Sequence, residues 1–158
     1  MIIREDDLSG PETVALLEAH LKLMRDTSPP ESVHALDLDG LRAPEVTFWT
    51  LWDGDQLLGC GALKEIDPAH GEIKSMHTAQ AARGKGVARR LVQHVLEEAR
   101  QRGYRRLSLE TGGTGDFAAA HRLYGAFGFE FCGPFADYVL DPFSVFMTLE
   151  LGAARQTG

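Results

Sequence analysis

Cysteine is scarce in this 158-residue chain: Cys60 and Cys132 stand far apart and form no CxxC pair. A disulfide-built scaffold and a cysteine-rich zinc site are therefore excluded. Two free, buried thiols in a reducing compartment are expected, with a disulfide between them as the alternative. Nothing beside either thiol would depress its pKa, so neither reads as a nucleophile. The six histidines (20, 34, 70, 77, 94 and 121) show no HxH or HExxH spacing, and no metal is expected. Long hydrophobic runs are missing too. No segment approaches the roughly 20 apolar residues of a membrane span. The start of the chain turns acidic at Glu5, Asp6 and Asp7 without a signal-peptide apolar run. A cytoplasmic location with no membrane partner is the expectation. Positive charge is outnumbered, 16 Lys and Arg against 23 Asp and Glu, for a net charge of −7. That argues against a nucleic-acid partner, because binding a phosphate backbone draws on clustered cations. It fits a cationic substrate.

What is present reads as one domain over residues 1–152, followed by a disordered tail at 153–158. Ile2, Ile3 and Arg4 form a short first strand. Val14, Leu16, Leu17, Leu21 and Met24 recur at helical spacing, so 11–24 is a helix with Ser9 as its N-cap. A polar, broken stretch follows, with a short helix starting at Pro30 or Glu31. The β-branched and aromatic run 46–52 is a strand, Asp53-Gly54-Asp55 a turn, and 56–64 its hairpin partner. Residues 71–78 form the next strand. A strong helix runs from Gly84 or Lys85 to Arg102 and is closed by Gly103. Leu107, Ser108 and Leu109 are a strand, 111–115 a loop, and Asp116 the N-cap of a helix reaching Phe127. Strands at 129–132 and 144–151 end the domain. Strands cluster early and then alternate with helices, which gives a mixed α/β (α+β) sheet with helices on both faces. The aromatic stretch 143–146 is compatible with pairing across a homodimer or with packing inside.

The most informative segment is Arg83-Gly84-Lys85-Gly86-Val87-Ala88-Arg89-Arg90, between a strand and a helix. Two glycines let the main chain turn and approach a ligand closely, and the first N–H groups of a helix have no partner of their own. They form a ready anion site. The charges agree: a helix dipole disfavours cations in the first turn by about 0.3–1 kcal/mol each, yet Arg83, Lys85, Arg89 and Arg90 gather there. A bound anion such as pyrophosphate offsets that cost. Two competing motifs fail. A dinucleotide-binding turn needs glycine where Arg89 stands, and a P-loop ending at Lys85 needs glycine at Ala79 and Ser or Thr at Gly86. A plain flexible turn is the remaining alternative.

The segment 83–88 resembles the acyl-carrier signature of the GNAT superfamily of N-acetyltransferases: Gln or Arg, two residues, Gly, one residue, Gly or Ala. Residues 71–78 look like the strand preceding that signature. Leu123-Tyr124-Gly125-Ala126-Phe127-Gly128-Phe129 looks like the family's later L-Y-x-x-x-G-F segment. The resemblance implies a single-domain, mostly antiparallel sheet whose central strands splay into a slot for acetyl-CoA as co-substrate. It implies that the backbone of Met76, His77 and Thr78 holds the pantetheine arm. The N–H groups of Gly84, Lys85, Gly86, Val87 and Ala88 would hold the pyrophosphate, with Arg83 and Arg89 nearby, and Tyr124 would sit beside the thioester sulfur. Many members carry Asn seven residues before the tyrosine; Phe117 stands there, so packing replaces a hydrogen bond. Backbone donors of the 112–115 loop are a candidate compensation.

Acetyl transfer to an amine needs a neutral amine, a stabilised oxyanion and a proton for the departing thiolate. A strand N–H near Thr78 is the implied oxyanion donor. Tyr124, a phenol of unperturbed pKa near 10, suits protonation of a thiolate, unless it is only a core residue on the Ala120–Tyr124–Phe127 face. Glu72 is the first candidate base and Glu110 the second, with a water relay as the alternative. Strand alternation would put Glu72, Lys74 and Met76 on one face and Ile73, Ser75 and His77 on the other. The acceptor is an amine on a small molecule or peptide. Acids of the 28–39 and 134–142 segments favour a cation, whereas Lys74 and Arg42 are candidate seats for an amino-acid carboxylate. The rival readings are a catalytically silent coenzyme A-binding module, an acyltransferase using another acyl group or a hydroxyl acceptor, and a nucleotide-phosphate binder of another fold.

Overall fold

The computed structural model describes residues 1–33, 36–113 and 115–152, and only the backbone of Asp116. His34 and the expected tail lie outside the described residues. Seven strands, β1 (Ile2–Glu5), β2 (Val46–Asp53), β3 (Gln56–Asp67), β4 (His70–Thr78), β5 (Arg106–Gly112), β6 (Glu130–Cys132) and β7 (Ser144–Glu150), form one sheet. Its order is β1-β2-β3-β4-β5-β7-β6. Only β4 and β5 pair in parallel, giving the mixed, mostly antiparallel sheet expected. The helices are α1 (Pro11–Thr27), the single-turn α2 (Leu38–Leu41), α3 (Val87–Gln101) and α4 (Ala118–Ala126).

Both faces of β2 are buried, which explains its unbroken apolar run. Phe48 packs with Leu16, Leu17 and Leu41 beneath α1 and α2. Its neighbour Trp49 turns to the opposite face and joins Val92, Val95 and Leu96 of α3 and Tyr124 of α4. On α3 the residues Val87, Ala88, Leu91, Val92, Val95, Leu96 and Ala99 recur at helical spacing in the sequence, and all but the half-buried Ala88 are buried.

Several boundaries moved. Gly10, not Ser9, is the N-cap of α1, and Pro11 opens that helix because its first residues need no N–H. The Ser9 hydroxyl donates instead to Asp7 Oδ1 at 2.6 Å. The turn α2, unexpected from sequence, is capped by Asp37, which accepts from Gly40 N–H at 2.9 Å. Helix α3 begins at Val87, later than expected, because Gly84 and Gly86 hold φ of 81° and 77°. Thr111 and Gly112, assigned to a loop, extend β5 because β7 offers Val145 and Ser144 as partners. Residues 115–117 make a 3-10 turn, and Phe117, not the expected Asp116, takes the N-cap position of α4. Both cysteines are free, but only Cys60 is buried, its thiol pushed up to about 12 by burial. Cys132 is exposed on β6, a strand at the sheet edge. No helix among the described residues is long and apolar enough to cross a membrane.

Candidate active site

Strands β4 and β5 lie side by side only from His70↔Arg106 to Ile73↔Leu109. Beyond that point β4 stays paired with β3 and β5 with β7, so the two follow their outer partners and separate. The gap is a cleft of about 250 Å³. Met76, His77 and Thr78 line one wall, Glu110 and Thr111 the other, and Phe117 and Tyr124 close it from α4.

Arg83 stands at one end of this cleft, directly before the glycine turn. In that turn the first main-chain bond of α3 runs from Arg90 N–H to Gly86 O, 3.1 Å. Among the described residues, no main-chain acceptor meets the N–H groups of Gly84, Lys85, Gly86, Val87, Ala88 or Arg89. The turn is exposed, carries no acid, and holds Arg89 over the Phe127 ring at 5.4 Å. A Cβ at Gly86 would touch nothing within 4 Å, so φ alone demands glycine there. Gly112 is glycine for the opposite reason: a Cβ would run into the Phe117 ring. Phe117 thus packs across the end of β5. The Gly113 amide donates to Phe143 O at 2.9 Å, so it is not a spare donor.

Strict alternation fails along β4. Lys74 pairs with Ala62 and His77 with Cys60, three residues against two, and the register shifts between them. Ser75 takes φ of 54° within this bulge, a sparsely populated conformation for a residue with a side chain. Met76 consequently joins Ile73 in the core against α3, correcting the expectation that it shares a face with Glu72 and Lys74. His77 meets His20 of α1 instead, Nδ1 to Nδ1 at 3.1 Å. One ring donates and the other accepts, so the accepting ring is neutral. Burial pushes both to about 4; beyond burial, His77 disfavours a charge on His20, and Arg83 disfavours one on His77. His20 was missed, although it is a polar residue on the buried Thr13–Leu16–Leu17 side of α1, which is the signal that marks it.

The carboxylates differ sharply. Glu72 is 3% exposed. It accepts from Lys74 Nζ at 3.2 Å and from the Tyr138 hydroxyl at 2.5 Å, while Lys74 also donates to Tyr138 at 2.8 Å. Glu110 is half-buried on the facing strand. Burial raises its carboxyl to about 7, with Glu72 and Asp141 adding to the rise, and Ser144 and Lys74 opposing it. Tyr124 is buried and its phenol is pushed above its usual value by burial alone. Ser32 donates to Asp141 Oδ2 at 2.6 Å, tying the 30–32 turn to the loop before β7. Arg42 stands elsewhere and donates to Leu8 O at 3.0 Å. Among the described residues, no group of three or more His, Cys, Asp or Glu is placed to hold a metal ion.

The architecture is an open α/β sheet split between two parallel neighbours, with a glycine turn of exposed main-chain amides at one end of the split. Residues 13–129 match the model of the acetyltransferase (GNAT) family, and the chain belongs to that family. It is 58% identical over 151 residues to the uncharacterized N-acetyltransferase YsnE of Bacillus subtilis (strain 168), covering 96% of this chain and 100% of that one. It is 52% identical over 149 residues to the uncharacterized N-acetyltransferase YedL of Escherichia coli (strain K12), covering 94% of each. A crystal structure from Klebsiella pneumoniae, described as a candidate acyl-CoA N-acyltransferase, superposes with a TM-score of 0.77 at 28% identity, covering 96% of this chain and 97% of that one. The protein is an acetyltransferase enzyme of the GNAT superfamily.

Proposed function

We propose that the enzyme takes acetyl-CoA as its acyl donor and transfers the acetyl group directly to a primary amine, with both substrates bound together. The observation that carries this reading is the pairing, across one cleft, of a carboxylate poised near neutrality with a buried phenol. The unpaired amides of 84–88 and the cations Arg83 and Arg89 suit the pyrophosphate, and the unpaired edge of β4 from Met76 to Thr78 suits the pantetheine arm.

The proton balance assigns the roles. An alkylammonium of pKa near 10 must lose a proton before its nitrogen can attack the thioester carbonyl. An ordinary glutamate would take that proton uphill by about 6 pKa units, or ~8 kcal/mol. Raised to about 7, Glu110 takes it at roughly half that cost and returns it to water. Glu110, the second candidate by sequence, therefore comes before Glu72, whose oxygen already serves Lys74 and Tyr138. As nitrogen bonds to the carbonyl carbon, its oxygen gains charge. Ala79 N–H donates to Leu58 O on β3, so alternation turns the Thr78 N–H away from β3 and toward the gap, where it serves the oxyanion. The C–S bond then breaks, the Tyr124 hydroxyl supplies a proton to the departing sulfur, and the second amine proton, leaving nitrogen, restores that hydroxyl. The products are an amide, coenzyme A with its thiol, and one released proton.

Calorimetry with acetyl-CoA, ATP and NAD tests the donor: tight binding of acetyl-CoA alone is expected, and a preference for either nucleotide overturns the reading. Coenzyme A release with a panel of amines, and the mass shift of the product, test the transfer. Tight binding of acetyl-CoA with no turnover on any amine, or a product acylated on oxygen, would replace amine transfer with a rival.

A further inference from the structure

We propose that the acceptor is a compact primary amine with an apolar body and no carboxylate beside the amine; this rests on the acetyl-transfer reading above. The cleft beyond Glu110 decides between the two acceptor chemistries open from sequence. Arg42, one of two candidate seats for a carboxylate, is bound to Leu8 O and lies outside the cleft. The other, Lys74, is 9% exposed and already donates to Glu72 and Tyr138.

An incoming carboxylate at Lys74 would face that cation and two acids, Glu72 and Glu110; Arg83, which also lines the cleft, acts on His77 and not on Glu110. Glu72 cancels the ammonium and Glu110 repels, so the balance opposes a second negative charge. An ammonium meets the reverse: Glu110 accepts its proton, and Lys74, the cation that acts on Glu110, is already bonded to Glu72 and Tyr138. Leu23 and Met24 of α1, Val33 and Leu109 give this end an apolar wall, and its other polar groups, Thr27, Ser28 and Ser32, are neutral hydroxyls. The Ser32–Asp141 bond ties together the two segments that border it. That favours a short amine entering end-on over a chain lying across the sheet.

Three probes of one shape separate charge from size: 2-phenylethylamine, L-phenylalaninamide and L-phenylalanine. Coenzyme A release should give kcat/KM values for the first two within about 10-fold of each other, and a value at least about 100-fold lower for phenylalanine, the cost of adding one repelling charge in a partly buried site. Calorimetry of the same probes on the wild-type protein with saturating coenzyme A reads the discrimination without turnover. Phenylalanine binding or reacting within threefold of its amide overturns the proposal. So does failure of phenylethylamine to bind at millimolar concentration. Glu72→Gln removes the charge that cancels Lys74 and should narrow the phenylalanine deficit at least fivefold, read as a ratio within one preparation. An unchanged ratio in a folded variant, judged by its circular dichroism, counts against Lys74 and Glu72 as the discriminating pair. Absence of acetyl-CoA binding would instead sink the acetyl-transfer reading, while the calorimetric ranking of the probes still judges this one.

Discussion

The two ends of the cleft are built by different means. At the proposed donor end, six successive residues present amides that no main-chain acceptor meets among the described residues, held by two glycines of positive φ and the start of one helix. At the acceptor end, Glu72 and Lys74 meet Tyr138 across 66 and 64 residues of sequence, and Ser32 meets Asp141 across 109. Main-chain recognition needs only local geometry, so it tolerates change elsewhere in the protein. A side-chain network needs the whole fold to be in register. The donor end is therefore the robust half, and the acceptor end is the half that pH and single substitutions reach.

The largest expected effect falls on the acceptor end. Glu110→Gln should lower kcat/KM by about 10²–10³, the usual contribution of a positioned base. The wild-type rate should climb with pH through an apparent pKa near 7, a limb the variant lacks. Affinity for acetyl-CoA should stay within about twofold if the two ends are independent; a larger loss breaks the comparison. The same variant should be more stable. A carboxyl raised from 4.5 to about 7 on folding binds more protons in the folded chain, so it costs stability that is absent below pH 4.5 and full above pH 7. Glu110→Gln should thus gain up to about 3 kcal/mol at pH 8 and nothing at pH 4. Melting curves at the two pH values decide.

His20 runs the opposite way. Its folded pKa of about 4 lies below the unfolded 6.5, so its contribution is whole above pH 6.5 and is lost as pH falls toward 4. In the wild type the two slopes oppose each other between pH 4.5 and 6.5. His20→Phe should flatten the acid loss by about 2–3 kcal/mol over that window, and Glu110→Gln should steepen it. If both variants keep the wild-type profile, these two groups do not set it. Smaller again is Tyr124→Phe, expected to cut kcat by about 10–100-fold with unchanged acetyl-CoA affinity, because it removes one proton donor and no packing.

The same contrast explains what was legible in the sequence. The α3 stripe has a 3.6-residue period, and the glycine turn carries its meaning in adjacent residues, so both were readable. The split between β4 and β5 followed from the family resemblance. The bulge at Ser75 was not readable, because it exists only as a mismatch between Lys74–His77 and Ala62–Cys60. Without it, alternation put His77 on the wrong face and hid the contact with His20. Glu72 ranked above Glu110 for a related reason: type and strand position were visible, but the partners that occupy one carboxylate and the burial that raises the other come from distant segments. The extension of β5 through Gly112 likewise depended on β7, which inserts between β5 and β6.

The smallest effect tests the donor end. Gly86→Ala adds a methyl that meets nothing within 4 Å, so any cost is conformational: a left-handed alanine is disfavoured by about 1–2 kcal/mol. If the turn must keep that shape to aim its amides, acetyl-CoA affinity should drop about 10-fold while the probe ranking at the acceptor end is unchanged. Gly125→Ala is the control. It also meets nothing within 4 Å but lies inside α4, where alanine is the better helix former by about 1 kcal/mol. That variant should melt higher and bind acetyl-CoA as the wild type does. Equal affinity in both variants would mean that the shape of the glycine turn does not aim the amides, and the contrast between a main-chain end and a side-chain end would lose its donor half.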